Sequence, residues 1–253
     1  MREPLKTYRA LCTEFYERES HLNHQEALDF YLNYARHAKG LILEPMCGTG
    51  RFLIPIGQAG FAIEGFDASE QMLEVLKQKE PSAHVWQEFM QDFNRDDKRY
   101  SLIFVPYGSW GLMDNIEDSK KSLKIMYDHV APGGKFVVEI ETVASAPKTV
   151  NMWHRAVQTR NDGSYIALNT YPTYSPETQI FTAICRYESI VKNQIKTTET
   201  EDFKMYLYHY DEFERYLHDA GFSDIKKYQD YNKTVAFDNK APLLIYECSK
   251  KRL

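Results

Sequence analysis

The sequence predicts an α/β fold: a doubly wound, mostly parallel sheet of seven strands, with an antiparallel β insertion. Three observations carry this reading. Strand-like and helix-like segments alternate between residues 40 and 141, the pattern of an open parallel sheet with right-handed crossovers. The stretch LILEPMCGTGRF, residues 41–52, runs a short apolar strand through a glycine turn into a hydrophobic stretch. After residue 150 the texture turns to β-leaning segments with turn signals between them, and the alternation resumes near residue 211.

Taken in order, residues 8–38 read as one or two helices, broken near RESHLNHQE and stopped by Gly40. GLILEP is the first strand and GRFLIPIGQAG its helix, in which Pro55 is expected to loosen or kink the first turns. FAIEGFDAS is the second strand; SEQMLEVLKQKE is a helix capped by Ser69 and closed by Pro81. AHVWQE and YSLIFVPYGS give the third and fourth strands, the latter apolar enough for burial on both faces. IEDSKKSLKIMYDHVAPGG is a helix with a glycine exit, followed by KFVVEIET as the fifth strand. WHRAVQTR, SYIALNTYPTY, TQIFTAICRYESIV and QIKTTETEDFKMYLY read as a β-meander over residues 151–208, inserted into one domain spanning 1–253. DEFERYLHDAGF restores the helix, and SDIKKYQDY and PLLIYECSK complete the sheet.

Composition narrows the functions. A net charge of −5, from 31 basic and 36 acidic side chains, offers no field for nucleic acid or anionic lipid. Cys12, Cys47, Cys185 and Cys248 are widely spaced, which argues against a disulfide framework and a zinc knuckle; no metal is expected. The start is charged, without a signal-peptide core, and no run approaches a membrane span. A cytoplasmic protein, monomer or homodimer, with no membrane partner is the expectation.

Nineteen residues past Gly48, Asp67 stands at the end of the second strand, where an acid accepts hydrogen bonds from a ribose diol. The dinucleotide fingerprint is incomplete, because Leu53 occupies the place of its third glycine, and no phosphate-loop GKS or GKT is present. Glu44 ends the first strand, where it repels a pyrophosphate and attracts a cation. A ligand with ribose, adenine and a positive charge but no phosphate meets these conditions, and S-adenosyl-L-methionine is such a ligand.

Here the chain resembles the class I S-adenosylmethionine-dependent methyltransferases, with their Rossmann-like sheet, over residues 40–143 and 210–249. Their first motif, [DE]-x-G-x-G-x-G, reads Glu44-Pro45-Met46-Cys47-Gly48-Thr49-Gly50, with Met46 in place of the first glycine, which suggests an altered loop shape. The resemblance implies that Glu44 lies near the methionine ammonium, that Gly48 and Gly50 approach the cofactor, and that Asp67 and Ala68 hold the ribose. Met72, Met90 and Gln91 fall to the adenine side, Asp92 closes that turn beside the cofactor, and a carbonyl near Pro106 falls to the ammonium. Tyr16, on an N-terminal helical lid over residues 1–39, would cover the cofactor; core packing explains Tyr16 and Met72 equally well.

The acceptor belongs beyond the ends of strands four and five. Tyr107, Ser109, Trp110 and Arg155 are candidates to line it, and Glu139, Glu141 and His154 to hold an amine or serve as base. Glu139 and Glu141 share one face of their strand, and a pair meeting Lys or Arg from the insertion is the other reading. The β insertion resembles the substrate-covering elements of small-molecule methyltransferases such as the glycine N-methyltransferase-like group, so a small-molecule acceptor is expected. A module that binds S-adenosylmethionine or S-adenosylhomocysteine without catalysis, and a protein or nucleic-acid methyltransferase, remain as alternatives.

Overall fold

The computed structural model describes residues 5–19, 25–231, 233, 238 and 240–251. Helices α1 (Ala10–Glu19) and α2 (Gln25–His37) flank the expected break, whose residues 20–24 lie outside the described ones. Then follow β1 (Ile42–Pro45), α3 (Leu53–Gln58), β2 (Ile63–Asp67), α4 (Glu70–Lys79), β3 (His84–Gln87), β4 (Tyr100–Val105), α5 (Ile116–His129) and β5 (Val130–Glu141). Ser69 caps α4 as its side chain predicts, accepting a hydrogen bond from Met72 N at 3.1 Å.

Two boundaries differ from expectation for local reasons. α3 starts only at Leu53, so Pro55 falls in its first turn, where a missing N–H breaks no helical bond and no kink is needed. β5 starts at Val130, before the glycine pair expected to end the helix. Val130 pairs with Tyr100, and the Gly133–Gly134 stretch trades backbone hydrogen bonds with Lys250.

After β5 the chain builds β6 (His154–Thr159), β7 (Tyr165–Ser175), β8 (Ile180–Val191) and β9 (Gln194–Tyr206), an antiparallel sheet in sequential order. Its β8–β9 hairpin turns through Lys192 and Asn193, both at left-handed φ (50° and 59°), the conformation that matches strand twist in two-residue loops. Then α6 (Glu212–Ala220), β10 (Ser223–Tyr228) and β11 (Leu243–Ser249) return to the first sheet.

The seven strands lie in the order β10-β11-β5-β4-β1-β2-β3, parallel except for β11, which runs antiparallel to both neighbours. Period-two alternation along β5 sorts its two faces. Phe136, Val138 and Ile140 pack beside Leu123 and Met126 of α5 and Phe213 and Leu217 of α6. Val137 turns the other way, toward Tyr31 and Tyr34 of α2 and Phe52, with Phe104 and Ile245 alongside. Each fully buried aromatic side chain here contributes on the order of 2 kcal/mol. The odd face of β5 ends in Glu139 and Glu141, which are thereby delivered under α2 at the carboxyl edge of the sheet.

The second sheet has two unlike faces. Ile166, Ala183, Cys185 and Tyr187 pack on Leu11, Cys12 and Phe15 of α1. The other face carries Arg155, Asn169 and Arg186 side by side, and exposes Ile184.

Candidate active site

The glycine turn after β1 is built by backbone hydrogen bonds: Cys47 N to Phe66 O at 3.0 Å and Gly50 N to Cys47 O at 2.9 Å. Met46 sits at φ 56°, Gly48 at 53° and Gly50 at 84°. Met46 thus takes the conformation a glycine favours, and the departure from the motif is met by backbone strain of roughly 1–3 kcal/mol. A Cβ on Gly48 would meet nothing within 4 Å, so open space lies over the turn; one on Gly50 would strike Ile54 and Leu76 at 2.9 Å.

Asp67 ties this turn to the next. One carboxyl oxygen accepts from Gly48 N at 2.9 Å and the other from Ser69 N at 2.8 Å. Burial raises its pKa against these N–H donors, and a carboxylate so held keeps lone pairs for a diol. Glu44 is buried, and burial lifts its pKa well above the carboxylate range, against the Leu53 backbone N–H and the Arg51 charge. Its Oε2 has no hydrogen-bond partner among the described residues. Met72 is buried on α4, Met90 and Gln91 are buried in the turn after β3, and the Ala68 carbonyl accepts from Gln87. Asp92 ends that turn, exposed, and faces Lys121 at 3.9 Å. The Pro106 carbonyl, expected to receive the ammonium, already accepts from Ser109 N at 3.3 Å.

α1 closes over the turn. The Arg51 guanidinium carbon lies over the Tyr16 ring, 4.6 Å from its centroid, and over the Tyr107 ring, 4.9 Å from its centroid. Glu17 accepts from the Thr49 hydroxyl and from Lys79 at 2.9 Å, and the Ser69 hydroxyl donates to Tyr8 O at 2.8 Å. The other side of the helix is held by the second sheet. Glu201 accepts from Tyr8 N and Arg9 N at 3.0 and 2.9 Å, Glu199 accepts from Leu11 N at 2.9 Å, and Arg160 grips Glu14. Carboxylates on the first N–H groups of a helix also complement its dipole.

Beyond β4 and β5, Tyr107, Glu141, Ser145, Pro242 and Leu243 line a cleft of about 320 Å³. Tyr107 and Gly108 both have left-handed φ, and a Cβ on Gly108 would approach the Glu141 side chain at 2.9 Å, so glycine is required there. Burial raises the Glu141 pKa, opposed by the Ser145 hydroxyl. Glu139 lies one pleat deeper. Tyr31 donates to its Oε1 at 2.5 Å and Tyr231 to its Oε2 at 2.9 Å, and burial still pushes its pKa up to about 7. Neither glutamate is in an ion pair among the described residues, so the alternative of a pair meeting Lys or Arg from the insertion is not what forms.

Three candidates are placed elsewhere. Trp110 is wholly buried, donates to Ser119 Oγ at 2.8 Å and meets Phe136 and Phe213 edge-on, because the left-handed turn at Tyr107–Gly108 rolls it back into the core. Arg155 bonds Asn169 and faces Glu188 on the face of the second sheet turned from α1. His154 is exposed on the edge strand β6, in register with Thr170, and Glu139 is held by tyrosines instead. Ser109 is half-buried in the turn after β4. Arg51, Tyr31 and Tyr231 were not singled out by the sequence. Arg51 was legible as the cation beside the glycine turn, whereas nothing local links Tyr31 to an acid 108 residues away.

Fold and site define a doubly wound α/β protein whose first glycine turn and second-strand acid suit an adenosine-bearing ligand. A family model described as a methyltransferase domain matches residues 16–227, and the chain belongs to that family. It is 29% identical over 118 residues to a dTDP-3-amino-3,6-dideoxy-alpha-D-glucopyranose N,N-dimethyltransferase of Streptomyces fradiae, a match over 46% of each chain. The chain thus spans about half the length of the curated relatives it matches at this level. The same fold occurs in an S-adenosylmethionine-dependent methyltransferase from Clostridium acetobutylicum (TM-score 0.77, 16% identity, 94% of this chain and 97% of that one). It also occurs in a sugar N-methyltransferase from Streptoalloteichus (TM-score 0.77, 14% identity, 100% and 96%). The residues present fit S-adenosylmethionine as methyl donor: an unpartnered buried carboxyl oxygen for a cation, open space over Gly48 and a ribose acid in Asp67. Among the described residues no group of three or more His, Cys, Asp and Glu is placed to hold a metal, and no helix is long and apolar enough to cross a membrane.

Proposed function

We propose that this chain is an S-adenosylmethionine-dependent methyltransferase that methylates an amine nitrogen on a small acceptor of the amino-sugar kind. The observation that carries the reading is the Glu139–Glu141 pair, two acids without a cation at the carboxyl edge of the sheet, one lining a cleft and one with a pKa near 7. Two names agree with it: one relative is an N,N-dimethyltransferase of a dTDP-linked 3-amino sugar, and one similar structure is a sugar N-methyltransferase.

Bound S-adenosylmethionine supplies a methyl group on a sulfonium. Tyr16, Glu44, Met46, Gly48, Gly50, Asp67, Ala68, Met72, Met90 and Gln91 are the residues that would seat it. The chain's own share is to bring up the acceptor, take its proton and keep water out. Glu141 attracts an amine that arrives protonated. The N–H bond breaks as a carboxylate O–H forms, and Glu139, half ionised near neutral pH, is matched to that transfer. Tyr31 and Tyr231 fix its two oxygens so that it receives the proton in one geometry. Tyr107 shapes the wall of the cleft, with Ser109 in the turn that follows it, and the second sheet, within the insertion of residues 151–208, is read as the cover of the acceptor together with α1.

The test is incubation with S-adenosylmethionine and a panel of nucleotide-linked sugars that carry either an amine or a hydroxyl at the same carbon, read by mass spectrometry. Methylation of the amine members alone is expected. Methylation of the hydroxyl members would refute nitrogen as acceptor, and binding of S-adenosylhomocysteine without turnover of any member would favour a binding module.

A further inference from the structure

The acid read as the base and the turn read as the donor's seat are joined by two consecutive residues. Glu139 is wholly buried and takes hydrogen bonds from the Tyr31 hydroxyl, from the Tyr231 hydroxyl and from the Tyr107 backbone N–H. These donors come from α2, from the segment after β10 and from the loop after β4. Arg51 and Phe52, directly after Gly50, reach all three. The buried Phe52 ring meets Tyr31 at 5.2 Å and Tyr107 at 5.3 Å between ring centroids. The Arg51 guanidinium donates to the Tyr107 hydroxyl, and its charge is felt at both Tyr107 and Tyr231.

The pair has little freedom of its own. Gly50 N–H closes the glycine turn on Cys47 O at 2.9 Å, and the bonds Ile54 N to Gly50 O and Ile56 N to Phe52 O, at 3.1 and 3.0 Å, run on into α3. A shift of the turn is therefore passed to Phe52, and close packing passes it to the two rings. Tyr107 receives it on the acceptor side, where a left-handed φ of 55° lets its N–H reach Glu139 while its ring stays with Arg51 and Phe52. We propose that Arg51 and Phe52 are positioning residues that join the donor's seat to the acceptor's base, so that a ligand on the glycine turn tightens the hydrogen bonds on Glu139 and readies it as a carboxylate. This rests on the readings of the turn and of Glu139 given above. Hydrogen bonds to a carboxylate favour its charged form, so firmer ones oppose the burial that keeps Glu139 half protonated near pH 7. A fall of about half a pH unit raises the ionised fraction at pH 7 from about half to about three-quarters. The groups facing Glu139 are Tyr31, Tyr107 and Tyr231, whose own pKa values burial raises, with Arg51, a permanent cation, behind the last two and Glu141 one pleat along the strand.

The experiment follows the side-chain carboxyl carbon of Glu139 by NMR against pH, in the whole chain labelled at glutamate with carbon-13. Glu139→Gln identifies the signal and separates it from that of Glu141. Titrations are run with and without saturating S-adenosylhomocysteine, on the unaltered chain and on Phe52→Leu, Tyr107→Phe and Arg51→Met. The unaltered chain is expected to titrate near 7 without ligand and about half a pH unit lower with it. Phe52→Leu, which loosens two donors, should remove most of that fall. Tyr107→Phe and Arg51→Met, which break the same hydrogen bond, should each reduce it to a similar degree. Equal midpoints with and without ligand in the unaltered chain would overturn the coupling with no variant needed. A fall that Phe52→Leu keeps in full would overturn it too, because the ligand's charge would then be acting through space. Failure of the unaltered chain to bind the ligand would refute the donor assignment and the coupling with it. Ordinary turnover by Glu139→Gln beside a ligand-linked midpoint would refute the base assignment alone.

Discussion

Two glutamates under α2 have nearly the same surroundings and opposite fates. Glu139 on β5 and Glu247 on β11 are both buried, on adjacent strands, and each takes a hydrogen bond from an α2 tyrosine at 2.5 Å: Tyr31 for the first, Tyr34 for the second. Each takes another from the segment after α6, from Tyr231 at 2.9 Å and Tyr228 at 3.2 Å. The spacing of three residues repeats in both tyrosine pairs. Among the described residues only Glu247 has cations, Lys135 and Lys233. Burial raises Glu139 to about 7 even against the hydrogen bonds from Tyr31 and Tyr231; for Glu247 burial works the same way, but Lys135, Tyr34 and Lys233 bring it down to about 2. Tyrosine hydroxyls lower both acids against burial, and the two lysines beside Glu247 carry it below the ordinary carboxylate range. The fold neutralises the acid distant from the cleft and leaves the one near it to titrate.

Breaking the neutralised member should have the largest effect. Glu247→Gln leaves Lys135 and Lys233 facing no carboxylate and should lower unfolding free energy by about 3–5 kcal/mol in urea titrations; a change below 1 kcal/mol would mean the lysines are no more than surface charges. The second effect is a pair of opposed pH slopes. Glu139 has a folded pKa above its unfolded value, so its contribution is full below pH 4.5 and is lost as pH rises through 7, a change of about 3 kcal/mol. Subtracting the stability curve of Glu139→Gln from that of the unaltered chain should show this loss. Glu247, with a depressed pKa, stabilises above pH 4.5 and loses its contribution as pH falls toward 2.

Third, Glu139→Gln should reduce kcat about 100-fold with S-adenosylhomocysteine affinity unchanged, and it should abolish a rise in rate with pH centred near 7. A variant with ordinary turnover would return both glutamates to a structural role. The smallest effect is a refinement. Tyr231→Phe removes one donor to the Glu139 carboxylate and should move the midpoint of the rate profile upward by roughly one pH unit, about 1.4 kcal/mol.

The same contrast marks how far the sequence could be read. The sheet was legible because each strand is written locally, in apolar runs bounded by glycine, proline or a cap. The β insertion was legible for the same reason: its four segments coincide with β6–β9 to within a few residues. Gly48 and Asp67 were legible because one strand-turn-helix unit brings them together at 2.9 Å. What could not be read were partnerships across the fold. Two acids on an apolar strand announced that something was unusual at 139 and 141, but the tyrosines around Glu139 come from residues 31 and 231. Trp110 misled because a loop beside a pocket can turn either way, and two left-handed residues decided it inward. Arg155 misled because facing is set by strand register, which its own segment does not encode.

The placement of α1 has a mechanical consequence. The helix is fastened to the cofactor turn by Thr49–Glu17 and Ser69–Tyr8, and to the second sheet by Glu199, Glu201 and the Arg160–Glu14 pair. It works as a latch with two keepers. Lifting it from the turn means either dragging the whole four-stranded sheet along or releasing carboxylates from the backbone N–H groups they cap. Under the function proposed above, release of a spent donor from the turn is therefore coupled to a movement of the four-stranded sheet.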